Sequence, residues 1–310
     1  MKIFKTSRAL ARVARGPILT LGNFDGLHLG HRKIISKVSE RARRLSRPSV
    51  VYTFEPHPLK VVAPSMSPQM IVDAQAKAAL VDSLGIDFMV IAEFTKEFAA
   101  KHPRAFVEDE IVPLRPREVW VGHDFSFGKA KAGTVDYLRA LGEEFGFSVH
   151  VIPAYMKGGE VVSSSRVRRL VSEGKLKEAA SLLGRNFSMS GKVVKGRNVG
   201  KELGFPTANL ASRAELIPAD GVYAAWVVVS GKRHGAVVNI GVAPTFGGKS
   251  RCVEVHIFGF KGNIYGKKIE VEFVRRLRGE RTFKSKEALI TQIRKDSERA
   301  EKILAAAKLQ

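Results

Sequence analysis

The chain has 310 residues, 45% of them hydrophobic and 26% charged, with a formal net charge of +22 and a single cysteine, Cys252. This length suits two domains of ordinary size. No apolar run reaches the ~18–20 residues of a membrane helix, and one cysteine cannot form a disulfide framework. The charge favours anionic partners, and the start at Met1 shows no signal-peptide core, so a cytoplasmic protein is expected.

In chain order, residues 18–21 read as a strand and residues 32–45 as a helix. Between them runs Leu21-Gly22-Asn23-Phe24-Asp25-Gly26-Leu27-His28-Leu29-Gly30-His31. A strand that turns into a helix offers backbone N–H groups and a helix dipole to a phosphate. His28 and His31, three apart, share one face of a first helical turn, where two imidazoles can neutralise charge on an attacked phosphate. A zinc pair is disfavoured, because no third His and no Cys lies nearby.

Strands are expected at 49–54, 88–91, 118–121 and 147–152, with helices at 74–84 and 135–145. Such alternation predicts βαβ units and a mainly parallel sheet. Two further helices are expected at 165–172 and 176–183. The arginines at 41, 43 and 44, and at 166, 168 and 169, read as solvated helix faces.

Three segments of this half carry candidate chemistry. Thr53-Phe54-Glu55-Pro56-His57-Pro58 is a rigid strand exit whose Phe54 could wall a flat aromatic ligand, or simply end the strand. Asp124, in Val121-Gly122-His123-Asp124-Phe125-Ser126-Phe127-Gly128, could accept from ribose or amine groups. Ser163-Ser164-Ser165 either caps a helix or binds phosphate with Arg166 or Arg168.

From about Ser188 the pattern changes to short alternating strands, at 222–229, 235–240, 252–258 and 269–273, with 230–234 as a hairpin loop. A small antiparallel β-barrel is expected, followed by a helix whose apolar side carries Leu289, Ile293, Ala300 and Leu304. The boundary is placed near Arg185. Thr207 and Asn209, alternate residues of Gly204-Phe205-Pro206-Thr207-Ala208-Asn209, are hard oxygen ligands suited to Mg²⁺ beside phosphates, or part of a turn and cap. Glu254, opposite Val253 and Val255 on its strand, is either a base among apolar neighbours or a surface residue. The glycine-lysine segments at 196–202 and 248–250 do not match a Walker loop.

Taken in order, GNFDGLHLGH, TFEPHP, VGHDFSFG, SSSRVR, GKELGFPTAN, GVAPTF, VEVH, IYGKKIEVEF and LRGERTF resemble the bifunctional riboflavin kinase/FAD synthetase family of bacteria over nearly the whole chain. The resemblance implies an α/β nucleotidyltransferase domain at 1–185 and a barrel kinase domain at 186–310. It implies that ATP phosphorylates riboflavin to FMN and that a second ATP adenylates FMN to FAD. Glu254 would then be the base, with Thr207 and Asn209 holding Mg-ATP. His28 and His31 would stabilise adenylyl transfer, and Asn23 and Asp124 would contact ATP. Ser163, Ser164 and Arg166 would hold phosphates, and Phe54, Pro56 and Pro58 would line the flavin pocket. Asn263 and Gly259 stand where the family carries acidic residues. The partners implied are small molecules, with no nucleic acid and no membrane. Two rival readings are an adenylyltransferase with a barrel that only binds flavin, and an RNA-binding protein.

Overall fold

A computed structural model of the chain describes residues 1–195, 204–245 and 248–308. The chain forms two compact units, Met1–Ser164 and Ser165–Gln310.

In the first unit, β1 (Lys2–Phe4), β2 (Ile18–Leu21), β3 (Ser49–Glu55), β4 (Phe88–Glu93), β5 (Glu118–Gly122) and β6 (Ser148–Ile152) form one sheet. Its order is β1-β4-β3-β2-β5-β6, and every neighbouring pair is parallel. Helices α1 (Ser7–Leu10), α2 (Leu29–Arg44), α3 (Pro58–Val62), α4 (Ala74–Asp82), α5 (Lys96–Ala99), α6 (Pro103–Phe106) and α7 (Val135–Phe145) connect the strands. Successive strand residues feed two separate cores. Leu19, Val50, Tyr52, Val90 and Val119 join one; Ile18, Val51, Met89 and Trp120 join the other, with Ile35 and Val38 of α2. A sheet covered on both faces needs such unbroken apolar strands, which is why 49–54 shows no alternation in sequence. A small hairpin of β7 (Met156–Lys157) and β8 (Glu160–Val161) follows.

Arg41 departs from the solvated-face expectation. Its guanidinium forks onto the buried carboxylate of Glu118, with Nε 2.9 Å and Nη2 2.8 Å from Oε1. Burial pushes the Glu118 carboxyl up. The bonds from Arg41 and from Trp120 Nε1, the latter at 2.9 Å, outweigh burial and hold it below the ordinary carboxylate value.

The second unit opens with α8 (Ser164–Ser172), which starts at the division, and α9 (Leu176–Leu183). Strands β9 (Phe187–Val194), β10 (Ala208–Ser212), β11 (Gly221–Val229), β12 (Lys232–Thr245), β13 (Gly248–Ile257) and β14 (Lys268–Arg278) close into a barrel of order β10-β13-β12-β11-β14-β9, antiparallel throughout. Helix α10 (Lys286–Lys308) packs on the barrel's outer face, where Ala300 and Leu304 meet Val222, Ala224 and Val237.

Val253, Val255 and Ile257 are buried, as their alternation requires, and each contributes about 1.5–3 kcal/mol by leaving water. The hairpin loop is shorter than expected. Val229 pairs with Lys232, leaving only Ser230 and Gly231, both at positive φ, as in a type I′ turn. The polar residues 232–234 are therefore strand, because their outer face is solvated. The compact division also falls earlier than Arg185. Leu176, Ala179, Leu182 and Leu183 of α9 are buried, and the helix packs on β9 and β14.

Candidate active sites

The sheet's strand order reverses at β2, which has β3 on one side and β5 on the other. Ligands of open α/β sheets bind beyond the carboxyl ends of strands at such a reversal. The segment 22–31 leaves β2 there, the segment 122–128 leaves neighbouring β5, and the Phe54–Pro58 stretch leaves neighbouring β3. Three motifs far apart in sequence thus share one sheet edge.

The histidine turn is built closely. His28 is the N-cap of α2, and its Nδ1 accepts the His31 backbone N–H at 3.4 Å. An Nδ1 that accepts places the proton of a neutral ring on Nε2, a donor suited to phosphate oxygen. The two rings stack at 3.6 Å between centroids, 21° from parallel, with Phe24 edge-on to His31 at 5.4 Å. Gly30 makes this possible, because a Cβ there would lie 3.1 and 3.2 Å from His28 ring atoms. So the two histidines do share one face, and one of them also caps the helix.

Asp25, which sequence reasoning passed over, anchors the turn. Its buried carboxylate accepts the N–H groups of Ile71 at 3.1 Å and Val72 at 3.4 Å. The Ser164 hydroxyl donates to the Asp25 carbonyl at 3.0 Å, which ties the serine segment to the histidine turn. Thr53 Oγ1 donates to the Asn23 carbonyl at 3.2 Å, while Asn23 itself is exposed. The Asp124 side chain is 83% exposed, open to a ligand. Ser163 is half-buried, and Arg166 lies half-buried in the first turn of α8, within the second unit.

Phe54 is half-buried in an aromatic cluster, edge-on to Tyr52, Phe94 and Phe98 at 5.5, 5.5 and 5.7 Å. Pro56 and Pro58 are also half-buried. Pro58 is the first residue of α3, whose N-cap His57 accepts the Leu59 N–H at 3.2 Å.

The second unit carries a cavity of about 570 Å³ on the outer face of the barrel, closed by α10 and residues 278–283. Register explains its lining. Glu254 on β13 lies opposite Asn209 on β10 and Asn239 on β12, so one row crosses three strands on one face. Glu254, Asn239, Thr207 and His256 all line the cavity. Val253 and Val255 are buried on the other side of β13; the cross-strand neighbours of Glu254 are amides, while Val222, Val237, Leu289 and Ile293 supply apolar groups to the same cavity.

The amide oxygen of Asn209 accepts from Cys252 Sγ at 3.1 Å. His256 Nδ1 lies 2.9 Å from the Pro206 carbonyl and holds the segment that leads to Thr207. Residues 196–203, which include the start of the GKELGFPTAN motif and the rejected phosphate loop, lie outside the described residues. So do Phe246, which ends GVAPTF, and Gly247, which precedes the second rejected segment.

Asn239, Glu280, Arg278 and Asp296 complete the wall and were missed from sequence. Arg278 Nε donates to buried Asp296 at 2.9 Å, and Gln292 donates to its other oxygen at 2.9 Å. Gly241 leaves room for the Glu280 carboxylate, which any Cβ there would strike. The outward alternation of β12 would have marked Asn239. The Arg278–Asp296 pair joins a strand to a helix 18 residues on and leaves no local signal. Asn263 accepts the Tyr265 N–H at 3.0 Å, a turn contact that an acidic residue could equally make. Neither Asn263 nor Gly259 lines the cavity.

Among the described residues no helix is long and apolar enough to cross a membrane. A nucleotide-type sheet edge in one unit and a barrel cavity bearing a carboxylate, amides and a hydroxyl in the other define a two-part phosphotransfer enzyme. Comparison with known proteins agrees. Residues 11–166 match the FAD synthetase family and residues 183–304 the riboflavin kinase family.

The bifunctional riboflavin kinase/FMN adenylyltransferase of Escherichia coli strain K12 is 35% identical over 299 residues, covering 96% of each chain. That of Haemophilus influenzae is 33% identical over 302 residues, covering 97% of this chain and 98% of the relative. A crystal structure described as a macrolide-efflux protein from Streptococcus pneumoniae superposes with a TM-score of 0.86 at 28% identity, covering 96% of this chain and 98% of that one. The chain belongs to the bifunctional riboflavin kinase/FMN adenylyltransferase family. It is an enzyme of both reactions, with riboflavin, FMN, FAD and ATP as the family's substrates and products.

Proposed function

We propose that His28, His31, Asn23, Asp124, Ser163, Ser164 and Arg166 carry FMN adenylylation, with Phe54, Pro56 and Pro58 against the flavin. Glu254, Thr207 and Asn209 carry riboflavin phosphorylation. The observation that carries this reading is the division of these groups: the two histidines, Asn23 and Asp124 sit in one compact unit, and Thr207, Asn209 and Glu254 in the other. As functional modules we assign 1–185 and 186–310. The matched families, which end at 166 and resume at 183, are compatible with that assignment.

In the kinase reaction Glu254 takes the proton of the ribityl hydroxyl as its oxygen attacks the γ-phosphorus of ATP. The bond to the β-phosphate oxygen breaks, and FMN and ADP result. In the second reaction an FMN phosphate oxygen attacks the α-phosphorus of ATP, and pyrophosphate leaves. The rings of His28 and His31 donate to the oxygens where charge builds, the kind of preorganised contact that dominates such reactions. Mg²⁺ fits the barrel site: the Thr207 hydroxyl and Asn209 amide are hard oxygen donors beside a carboxylate, and phosphate oxygens can complete the shell. When bound, it supplies charge neutralisation on the phosphates. A reducing cytoplasmic setting suits a chain with one cysteine, and neither nucleic acid nor membrane has a part in this reading.

Product analysis after incubation with riboflavin, Mg²⁺ and ATP tests the assignment. His28→Ala is expected to accumulate FMN without FAD. Glu254→Gln is expected to make FAD from supplied FMN while leaving riboflavin untouched. Either variant losing both steps, with its fold intact, would overturn the separation.

A further inference from the structure

Tyr52 and Phe54, alternate residues of β3, meet one core of the sheet, Tyr52 within it and Phe54 at its edge. Tyr52 is fully buried, yet it brings a hydroxyl into that core, and the hydroxyl donates to Glu110 Oε2 at 2.8 Å. Glu110 stands in the π-helical turn Val107–Ile111 and is half-buried. Its other oxygen, Oε1, accepts from Lys101 Nζ at 2.9 Å. Lys101 Nζ also donates to Asp109 at 2.8 Å and lies 5.1 Å from the centre of the Phe98 ring. Phe98 is edge-on to Phe54 at 5.7 Å, and Tyr52 is edge-on to it at 5.5 Å. The contacts close on themselves: Glu110 to Tyr52 to Phe54, then Phe54 to Phe98 to Lys101 and back to Glu110. One carboxylate thus grips both flanks of the ring assigned to the flavin. The Lys101 carbonyl also accepts the Lys129 N–H at 2.8 Å, which fastens the end of the segment leaving β5 to the same residue.

We propose that Glu110 is a positioning residue for FMN binding in adenylyl transfer: its carboxylate holds Tyr52 and Lys101, and through them fixes the Phe54 ring at the exit of β3. The inference rests on the assignment of Phe54 to the flavin. Glu110 touches neither substrate in this account. Single edge-on ring contacts are weak, so a ring held by packing alone can tilt. Hydrogen bonds to a charged group are stronger and directional, and they fix what the packing leaves free. A flat ring against a flavin makes the same contact in the ground state and in the transition state. Its misplacement is therefore read in KM for FMN and not in kcat.

The test uses the full chain and reads KM and kcat for FAD formation from FMN and ATP. Glu110→Ala is expected to raise KM for FMN about tenfold, the weight of one charge-assisted hydrogen bond, with kcat and the KM for ATP near parent values. A carboxylate that only stabilised the fold would instead reduce the amount of active enzyme, lowering kcat and leaving KM alone. Adding Tyr52→Phe to Glu110→Ala should raise KM no further, since both act through one contact. A KM for FMN within about twofold of the parent in Glu110→Ala, or rises that multiply in the double variant, would overturn the proposal. Where Glu110→Ala leaves no FAD formation to measure, Tyr52→Phe decides, because it removes only a hydroxyl. A KM for FMN raised about threefold in that variant supports the role, and a parental KM overturns it. Phe54→Ala is run in parallel. A parental KM for FMN there means that Phe54 does not face the flavin, and the site assignment fails whatever Glu110 does. A raised KM there beside a parental KM in Glu110→Ala overturns the positioning role alone.

Discussion

The two units build their proposed phosphate sites in opposite ways. In the sheet unit the candidate groups stand on loops at strand ends, around the start of α2, and a cap and a glycine contact set their geometry. In the barrel unit Asn209 and Glu254 stand on the strands themselves, in one register row with Asn239, and Thr207 stands just before the start of β10. The first arrangement depends on local turn chemistry. The second depends on pairing between strands far apart in sequence. A change of one residue should thus disturb the first site without touching its sheet, whereas the second site shares its supports with the barrel core.

The sharpest way to break this contrast is Glu254→Gln. Loss of a general base should lower riboflavin phosphorylation by about 10²–10⁴-fold, with melting temperature and FMN adenylylation unchanged. A small effect would mean that the row is only structural. Next in size is Arg278→Met. It strands buried Asp296 without its partner, and such a loss destabilises by about 3–5 kcal/mol. Chemical denaturation followed at the barrel's Trp226 should show it, and kinase activity should fall with it, because Arg278 lines the same cavity.

In the sheet unit Gly30→Ala presses a methyl against the His28 ring. FAD formation should fall about tenfold while the unit's melting is barely moved, the converse of Arg278→Met. Smallest is the acid response of the Arg41–Glu118 pair. The Glu118 carboxyl is held below its ordinary value, so its contribution to stability is full above the unfolded value near ~4.3 and is lost as pH falls through the lowered folded value. Thermal melts of the parent should weaken across that acid window, and Glu118→Gln should flatten the slope. An unchanged slope would remove Glu118 from the account.

Legibility from sequence followed the same division. The sheet order was not readable, but parallel βαβ units were, since the central strands β2, β3 and β5 are buried on both faces and helices such as α2 and α7 are amphipathic. β1 escaped notice because three residues carry no period. The histidine motif could be read in one piece, since its geometry is made within ten residues. Asp25 stood inside that motif and was still missed, because its partners, Ile71 and Val72, lie 46 and 47 positions on. The burial of Lys77 in α4 was invisible too: a lysine in a helix reads as solvent-facing until the packing of that helix is known. In the barrel, alternation placed Glu254 on the outer face. Only the register could show that Asn239 and Asn209 flank it within that row.

The capping bond of His28 carries a consequence for evolution and engineering. The imidazole assigned to phosphate contact is also the helix's first hydrogen-bond acceptor, and it is a poorer cap than serine or asparagine. On that assignment, one side chain serves both the chemistry and a weak cap at the start of a sixteen-residue helix. His28→Asn or His28→Ser should give a chain that makes no FAD yet melts higher than its parent. Such a variant would be a durable scaffold for capturing the adenylylation substrates unreacted.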